Sequence, residues 1–277
     1  MTTLLERDLA QLAGLVSYMA VPVNPSGNDW IPAEMLIGDP SALRSLIDTT
    51  APGRGTDDPA VAASLFVQSY AFRLASATLG PWVLTGRVPN ASPDRVVIRV
   101  GRNRPAGIGL LTPIEVAGVK TEDSDDSVTT FADGALRHWA NASLFDAHLD
   151  HLIDAVRETV KVGERLLWGN VASSCVTVLR AIEGAHTNRD EKLRVRNFTE
   201  GFLADAPHEL ATLGDLFTLN VGSNEGWYHE RTTCCLWYKS GEAERAAVQY
   251  CADCSLTDAG ERRTSLRREL EAMGAAL

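Results

Sequence analysis

The sequence predicts a helix-rich α+β protein, with a small antiparallel sheet in the middle and a cysteine cluster module at the C-terminal end. Three observations lead to this. Apolar residues recur at helical spacing before about residue 90 and again from about 134 to 213. Between about 94 and 132 the pattern changes to that of strands. Four of the five cysteines fall between Cys234 and Cys254. The 277 residues fit one large domain or two small ones. The expected division is an α+β domain over 1–220 and a cysteine module over 221–277.

In chain order, Thr2 and Thr3 cap a first helix running to about Ala20, with Leu5, Leu9 and Leu12 on one face. Pro22 and Pro25 end it. A stretch rich in Pro, Gly and Asp, including Ala51-Pro52-Gly53-Arg54-Gly55, reads as a loop. Asp57-Asp58-Pro59 then opens a second helix by placing an acidic cap and a proline in its first turn. Gly80-Pro81 is expected to break that helix. Arg95 to Val100 reads as a strand, Gly101 to Pro105 as a turn and Gly107 to Val119 as a returning strand. The acidic run Thr121 to Ser127 reads as a solvated turn. As a calcium loop it lacks the regular ligand spacing and the distal glutamate. Leu144, His148, His151, Leu152 and Val156 resume helical spacing, and Gly169 is expected to separate two helices.

Composition narrows the function. Apolar residues make up 45% and charged residues 22%, an ordinary globular balance. The net charge of −10 argues against nucleic acid as a partner, because phosphate binding needs a basic face. The stretch Leu12 to Val23 is too short to span a bilayer, and no integral membrane segment is expected. Glu6 and Asp8 stand where a signal peptide carries basic residues, so a cytoplasmic location is expected. There is no P-loop, no Gly-x-Ser-x-Gly elbow and no complete dinucleotide fingerprint.

The cysteines are arranged as Cys234-Cys235, fifteen residues, then Cys251-x-x-Cys254. Four thiolates this close suit a soft metal centre. The pattern has three readings. A tetrahedral zinc site usually draws on two Cys-x-x-Cys pairs, and adjacent cysteines serve a single ion poorly. A two-iron cluster spreads its ligand positions over two metals, so adjacent residues can reach different positions. Disulfides are disfavoured in a reducing cytosol.

Arg231-Thr232-Thr233-Cys234-Cys235-Leu236-Trp237-Tyr238, followed by Cys251-Ala252-Asp253-Cys254-Ser255-Leu256, resembles the C-terminal motif of FhuF-type ferric-siderophore reductases. Trp168-Gly169-Asn170-Val171-Ala172 resembles a second short motif of the same family. The gap between Cys235 and Cys251 is longer than the family pattern, with Ser240 to Gln249 standing as an insertion, and the C-terminal tail is extended. The resemblance implies a [2Fe-2S] cluster held by Cys234, Cys235, Cys251 and Cys254. It also implies one-electron reduction of siderophore-bound Fe(III) to Fe(II), which releases the iron because hard oxygen ligands hold Fe(II) less well. An external electron donor, a ferredoxin or a flavin reductase, is then required.

The rival readings are a zinc-stabilised module that binds a siderophore or a protein, and a [2Fe-2S] redox sensor or electron carrier. Arg231, Lys239 and Arg245 are the cations expected near the cysteines, each equally well read as a surface charge. Trp168 and Asn170 are candidates for a substrate cleft or for support of the cluster. Trp227, Tyr228 and His229 are candidates for flanking a chelate or shielding the cluster from water, and more readily for packing around the cysteine module. The basic run Arg262 to Arg268 reads as a docking patch or as an exposed mixed-charge helix. His148 and His151 have no accompanying ligand, and Cys175 reads as a small buried apolar residue.

Overall fold

The computed structural model describes residues 2–101, 104–119, 128–246, 250–251 and 253–275. The acidic run 121–127 and positions 247–249 of the insertion lie outside the described residues. Helix α1 (Leu4–Leu15) opens with the predicted cap. Thr3 accepts from the Glu6 amide, and the Glu6 carboxylate accepts from the Thr3 amide, a capping box that satisfies two orphan N–H groups.

The expected loop before residue 55 is largely structured. It carries strand β1 (Trp30–Pro32), a short helix α2 (Ala33–Gly38) and helix α3 (Pro40–Arg54). Asp39 caps α3 through the Ser41 and Ala42 amides, and Pro40 needs no N–H at the first position. Pro52 is accommodated in the last turn, and Gly55 ends the helix at φ 66°, where glycine carries no steric penalty.

Helix α4 (Pro59–Thr85) begins at Asp58-Pro59 as predicted, but runs straight through Gly80-Pro81 to a left-handed cap at Gly86. It is apolar almost all round and buried along most of its length, so tertiary packing outweighs the cost of an internal proline. Gly80 allows α1 to approach, since a Cβ there would lie 2.5 Å from a Leu12 methyl.

The middle of the chain forms two three-stranded sheets. Strands β3 (Val96–Gly101) and β4 (Arg104–Leu110) make the predicted hairpin, and β1 adds antiparallel to β3. The expected long returning strand divides at Thr112-Pro113. Its second part, β5 (Val116–Val119), pairs antiparallel with β2 (Arg87–Pro89) and parallel with β6 (Val128–Phe131).

Helix α5 (Asp133–Asn141) continues through a π-helical stretch, Ala142–Leu149, into α6 (Asp150–Thr159). Helix α7 (Glu164–Ala185) packs along α4, and α8 (Arg189–Asp205) packs on α7. The break expected at Gly169 falls earlier, at Gly163, which opens α7. Gly169 lies inside the helix. The antiparallel hairpin of β7 (Gly214–Val221) and β8 (Asn224–Arg231) leads to the cysteines, with a short helix α9 (Gly241–Arg245) between the two pairs and α10 (Ala259–Ala275) after them. One large apolar cluster joins α1, α4, α7 and the small sheets. Leu219, Tyr228, Leu266 and Leu270 form a separate small one under α10.

Candidate functional site

Strand β8 ends at Arg231, and the next four residues turn onto the flank of α7. The Thr232 amide donates to the Leu213 carbonyl, and Thr233 rests on Gly169. A Cβ at position 169 would lie 1.7 Å from Thr233 Oγ1, so only glycine permits this contact. This is the physical reason for a glycine inside a helix, where it ordinarily costs about 1 kcal/mol relative to alanine. Leu236 then takes φ 64°, and its amide donates to Cys234 Sγ at 3.3 Å. At the second pair the Cys254 amide donates to the Cys251 carbonyl, and the Leu256 amide donates to Cys254 Sγ at 3.4 Å. Each pair therefore turns a backbone N–H toward a sulfur.

Cys235 and Cys251 bring their sulfurs to 3.9 Å. Cys235 and Cys254 are buried, Cys234 and Cys251 are half-buried, and all four are free thiols. Each lies close enough to feel charge on its neighbours. The contact with Cys251 lowers the Cys235 thiol below its ordinary value against the effect of burial, with help from the Arg231 charge. That same contact, together with burial, raises Cys251. Burial raises Cys234.

A buried polar chain lies beneath the first pair. Ser64 on α4 donates to the Cys235 carbonyl at 2.7 Å. Asn170 on α7 donates to both the carbonyl and the hydroxyl oxygen of Ser64, at 2.9 and 2.8 Å. Its own oxygen accepts from Arg231 Nη2. Arg231 is 3% exposed, and its Nε and Nη1, like Thr233 Oγ1, find no partner among the described residues. The second pair is held separately. Asp253 accepts from the Arg231 amide through its carbonyl and from Ser173 through its carboxylate. Burial would raise that carboxyl, but His229, whose Nδ1 lies 3.9 Å away, and the Arg231 charge outweigh it and hold it at about 2.

Farther out, Arg262 on α10 donates to the Cys254 carbonyl and, at 3.2 Å, to Glu230, which also takes Arg263. On the other side the Gly241 amide donates to the Gly55 carbonyl, while Arg54 pairs with Glu242 at 2.7 Å. The insertion thus contributes α9, which docks on the end of α3.

Of the cations named from sequence, Arg231 alone is shown buried beside the cysteines. Lys239 lies 5.9 Å from the Tyr238 ring, and Arg245 donates to the Gly53 carbonyl. Arg262 and Arg263, half of the basic run read as a docking patch, are internal partners of Glu230. Trp168 stacks on His208 at 3.7 Å, with its indole N–H unpartnered among the described residues. Trp227 and Tyr228 pack under Arg196 and Arg180. His148 is a core residue bonded to Tyr70 and the Ala91 carbonyl, and Cys175 is buried, its thiol pushed up to about 12. Sequence reading missed Ser64, Ser173 and Glu230. A serine in an apolar helix and an acid in a polar strand carry no local mark of contacts made 32 to 171 residues away.

The family described as ferric iron reductase FhuF-like transporter matches residues 64–218. No curated protein matches the chain. The family match begins at the serine that holds Cys235 and ends before the cysteines. Among the described residues, no helix is long and apolar enough to cross a membrane. The match covers more than half of the 277 residues, and the chain belongs to the FhuF-like ferric iron reductase family.

Proposed function

We propose that the chain is a ferric-siderophore reductase. In this reading Cys234, Cys235, Cys251 and Cys254 hold a [2Fe-2S] cluster, and an external donor, a ferredoxin or a flavin reductase, supplies the electron. The observation that carries the reading is Arg231. It is a buried guanidinium with two donor groups unpartnered among the described residues, and its charge reaches Cys234 and Cys235. Buried guanidinium N–H groups left without partners are costly, and an anionic thiolate-ligated group is a partner that removes the cost. Thr233 Oγ1 and the amides of Leu236 and Leu256 are further donors on the same segment. When bound, such a cluster supplies one-electron storage.

The chain's own residues set the rest. Ser64 and Asn170 fix the backbone of Cys235 and the direction of Arg231. The Arg231 charge favours the more negative state of whatever the thiolates hold, so it raises the reduction potential. Asp253, with its carboxyl held ionised, works in the opposite direction from the second pair. The substrate changes by one electron only: Fe(III) in an oxygen-donor chelate becomes Fe(II), no ligand bond needs hydrolysis, and the weaker complex releases the metal. Cysteines that hold an iron–sulfur cluster suit the reducing cytoplasm as the place of reaction.

The test is an absorption spectrum of anaerobically purified protein with iron, sulfide and zinc analysis, followed by oxidation with ferric tris-catecholate and ferric trihydroxamate chelates in turn and capture of Fe(II) by a chromogenic chelator. Visible bands that bleach with dithionite, and Fe(II) formation lost in Cys254→Ser, are expected. A colourless protein with stoichiometric zinc overturns the reading.

A further inference from the structure

The polar residues on the α4 and α7 faces that hold the cysteine segment continue upward into a cavity. On α4, Ser64 is followed one turn later by Gln68 and then by Phe72 and Arg73. On α7, Asn170 is followed by Ser174 and Thr177. Gln68, Phe72, Arg73, Ser174 and Thr177, with Arg104 at the start of β4, line an open cavity of about 320 Å³. At about 1.5 Å of rise per residue, its nearest wall stands about 6 Å along the helices from Ser64 and Asn170. Ser173, on the same stretch of α7, holds Asp253 of the second cysteine pair.

The charge at this cavity is of one sign. Arg73 Nη1 donates to the Tyr18 carbonyl at 2.7 Å, which fixes the guanidinium at the rim. Neither Arg73 nor Arg104 has a carboxylate within 4 Å among the described residues, although the chain carries a net charge of −10. Arg99 lies near enough to act on Arg73. Its nearest acid, Asp29, stands at 4.0 Å and is exposed. Burial and then the charges of Arg104 and Arg99 push Arg73 below its ordinary value, as expected for guanidiniums gathered without a counterion. The hydroxyl protons of Ser174 and Thr177 are committed to the Gln68 and Ser173 carbonyls, so the free donors facing the cavity belong to Arg73, Arg104, Gln68 and Ser69, whose oxygen accepts from Arg54. The Phe72 ring and Pro105 supply the apolar wall.

We propose that this cavity docks the ferric chelate one to two helical turns from the cysteines, and that it selects chelates of net negative charge with oxygen donors over neutral or cationic ones. The inference rests on the reductase reading of the cysteine site. Guanidiniums serve such a guest twice, through charge-assisted bonds to carboxylate or catecholate oxygens and through stacking on catechol rings.

The test uses redox-inert gallium, so that binding is read apart from reduction. Calorimetric titrations compare a net-anionic gallium(III) tris-catecholate with a cationic gallium(III) linear trihydroxamate. The anionic complex is expected to bind, more weakly as salt is raised, and the cationic one to show no saturable heat. Arg104→Gln, at an exposed residue whose side chain makes no bond among the described residues, should weaken the anionic complex about tenfold, the cost of one charged hydrogen-bond partner. Arg104→Glu should weaken it further, with both variants keeping the parent's circular dichroism spectrum and melting curve. Equal binding of the two complexes, or unchanged affinity in both variants, overturns the inference even if iron is still reduced elsewhere on the protein. Arginine-dependent binding of the anionic complex by a protein that carries zinc and reduces no ferric chelate overturns the reductase reading, and leaves the cavity as an anion site.

Discussion

The helical slab and the cysteine segment are held by different forces. The slab, built on α4 and α7, is joined by one continuous apolar cluster that reaches from Leu5 to Leu213. The cysteine segment is fastened mainly by polar and ionic contacts: Ser64 to Cys235, Asn170 to Arg231, Ser173 to Asp253, Arg54 to Glu242 and Glu230 to Arg262. Apolar packing degrades by increments when a side chain is trimmed, whereas a buried polar contact that loses one member leaves the other unsatisfied. The segment is therefore the more easily undone of the two, and its failure is local. Polar partners of this kind fix direction as well as contact, which the proposed role of the cysteines calls for.

The largest expected effect breaks this comparison at Glu230. Burial would raise the Glu230 carboxyl, but the hydrogen bonds from Arg263 and Arg262 hold it below the ordinary glutamate range. Glu230→Ala leaves Arg262 buried with only the Cys254 and Thr257 carbonyls as partners. Removing one member of a buried pair costs about 3–5 kcal/mol. If that cost is taken locally, thiol labelling of metal-free protein should quicken roughly a hundred- to several thousandfold while the helical melting curve barely moves. A melting temperature that falls in step with the labelling would show the two regions to be one cooperative unit.

A smaller effect sharpens the same comparison from the slab side. Gly169→Ala gains about 1 kcal/mol of helix propensity and meets Thr233, an overpacking that costs about 1–3 kcal/mol. The slab should keep or gain stability, while the cysteines become roughly tenfold more reactive to a thiol reagent if the net local cost is about 1.4 kcal/mol. Adding Thr233→Gly should reverse the gain in reactivity. Unchanged reactivity in Gly169→Ala would mean that the 232–235 turn does not depend on that close approach.

These two positions also mark where sequence reading succeeds and where it stops. Thr3 with Glu6, Asp58 with Pro59 and the β3–β4 hairpin are local, and their physics lies within a few residues. The spacing of the cysteines is local in the same sense. Gly80-Pro81 and Gly169 look like breaks because glycine and proline weaken an isolated helix. Both are retained because another element presses against them, Leu12 at Gly80 and Thr233 at Gly169. The loop read before residue 55 hid α3 because Pro52 and Gly55 signal a turn, which is indeed where that helix ends. Asn170 is legible as a candidate for a substrate cleft or for support of the cluster, but its bond to Arg231 is not, and Ser64 carries no mark at all. Asn170 and Ser64 come from helices 61 and more residues away, and only the packed fold brings them to the cysteines.

The smallest effect asks whether the slab is as indifferent to charge as its apolar core suggests, and His148 is the residue that decides it. This histidine is fully buried, with Nδ1 at 2.5 Å from the Ala91 carbonyl and Nε2 at 2.7 Å from the Tyr70 hydroxyl. A carbonyl only accepts, so Nδ1 carries the proton and Nε2 accepts from Tyr70. Burial lowers the imidazole to about 4, against the opposing bond to Ala91. The unfolded value is about 6.5, so between the two the unfolded chain binds a proton that the folded chain refuses. Stability is therefore complete above about pH 6.5 and falls as the pH drops toward 4. Going from pH 7 to 5.5 should cost about 1 kcal/mol from this residue. His148→Asn, which keeps an amide to face Ala91 and does not titrate, should melt with a correspondingly weaker dependence on pH over that window. Parallel pH profiles for the two proteins would mean that the imidazole takes its proton without leaving the fold, and that the slab, like the cysteine segment, accommodates a buried charge.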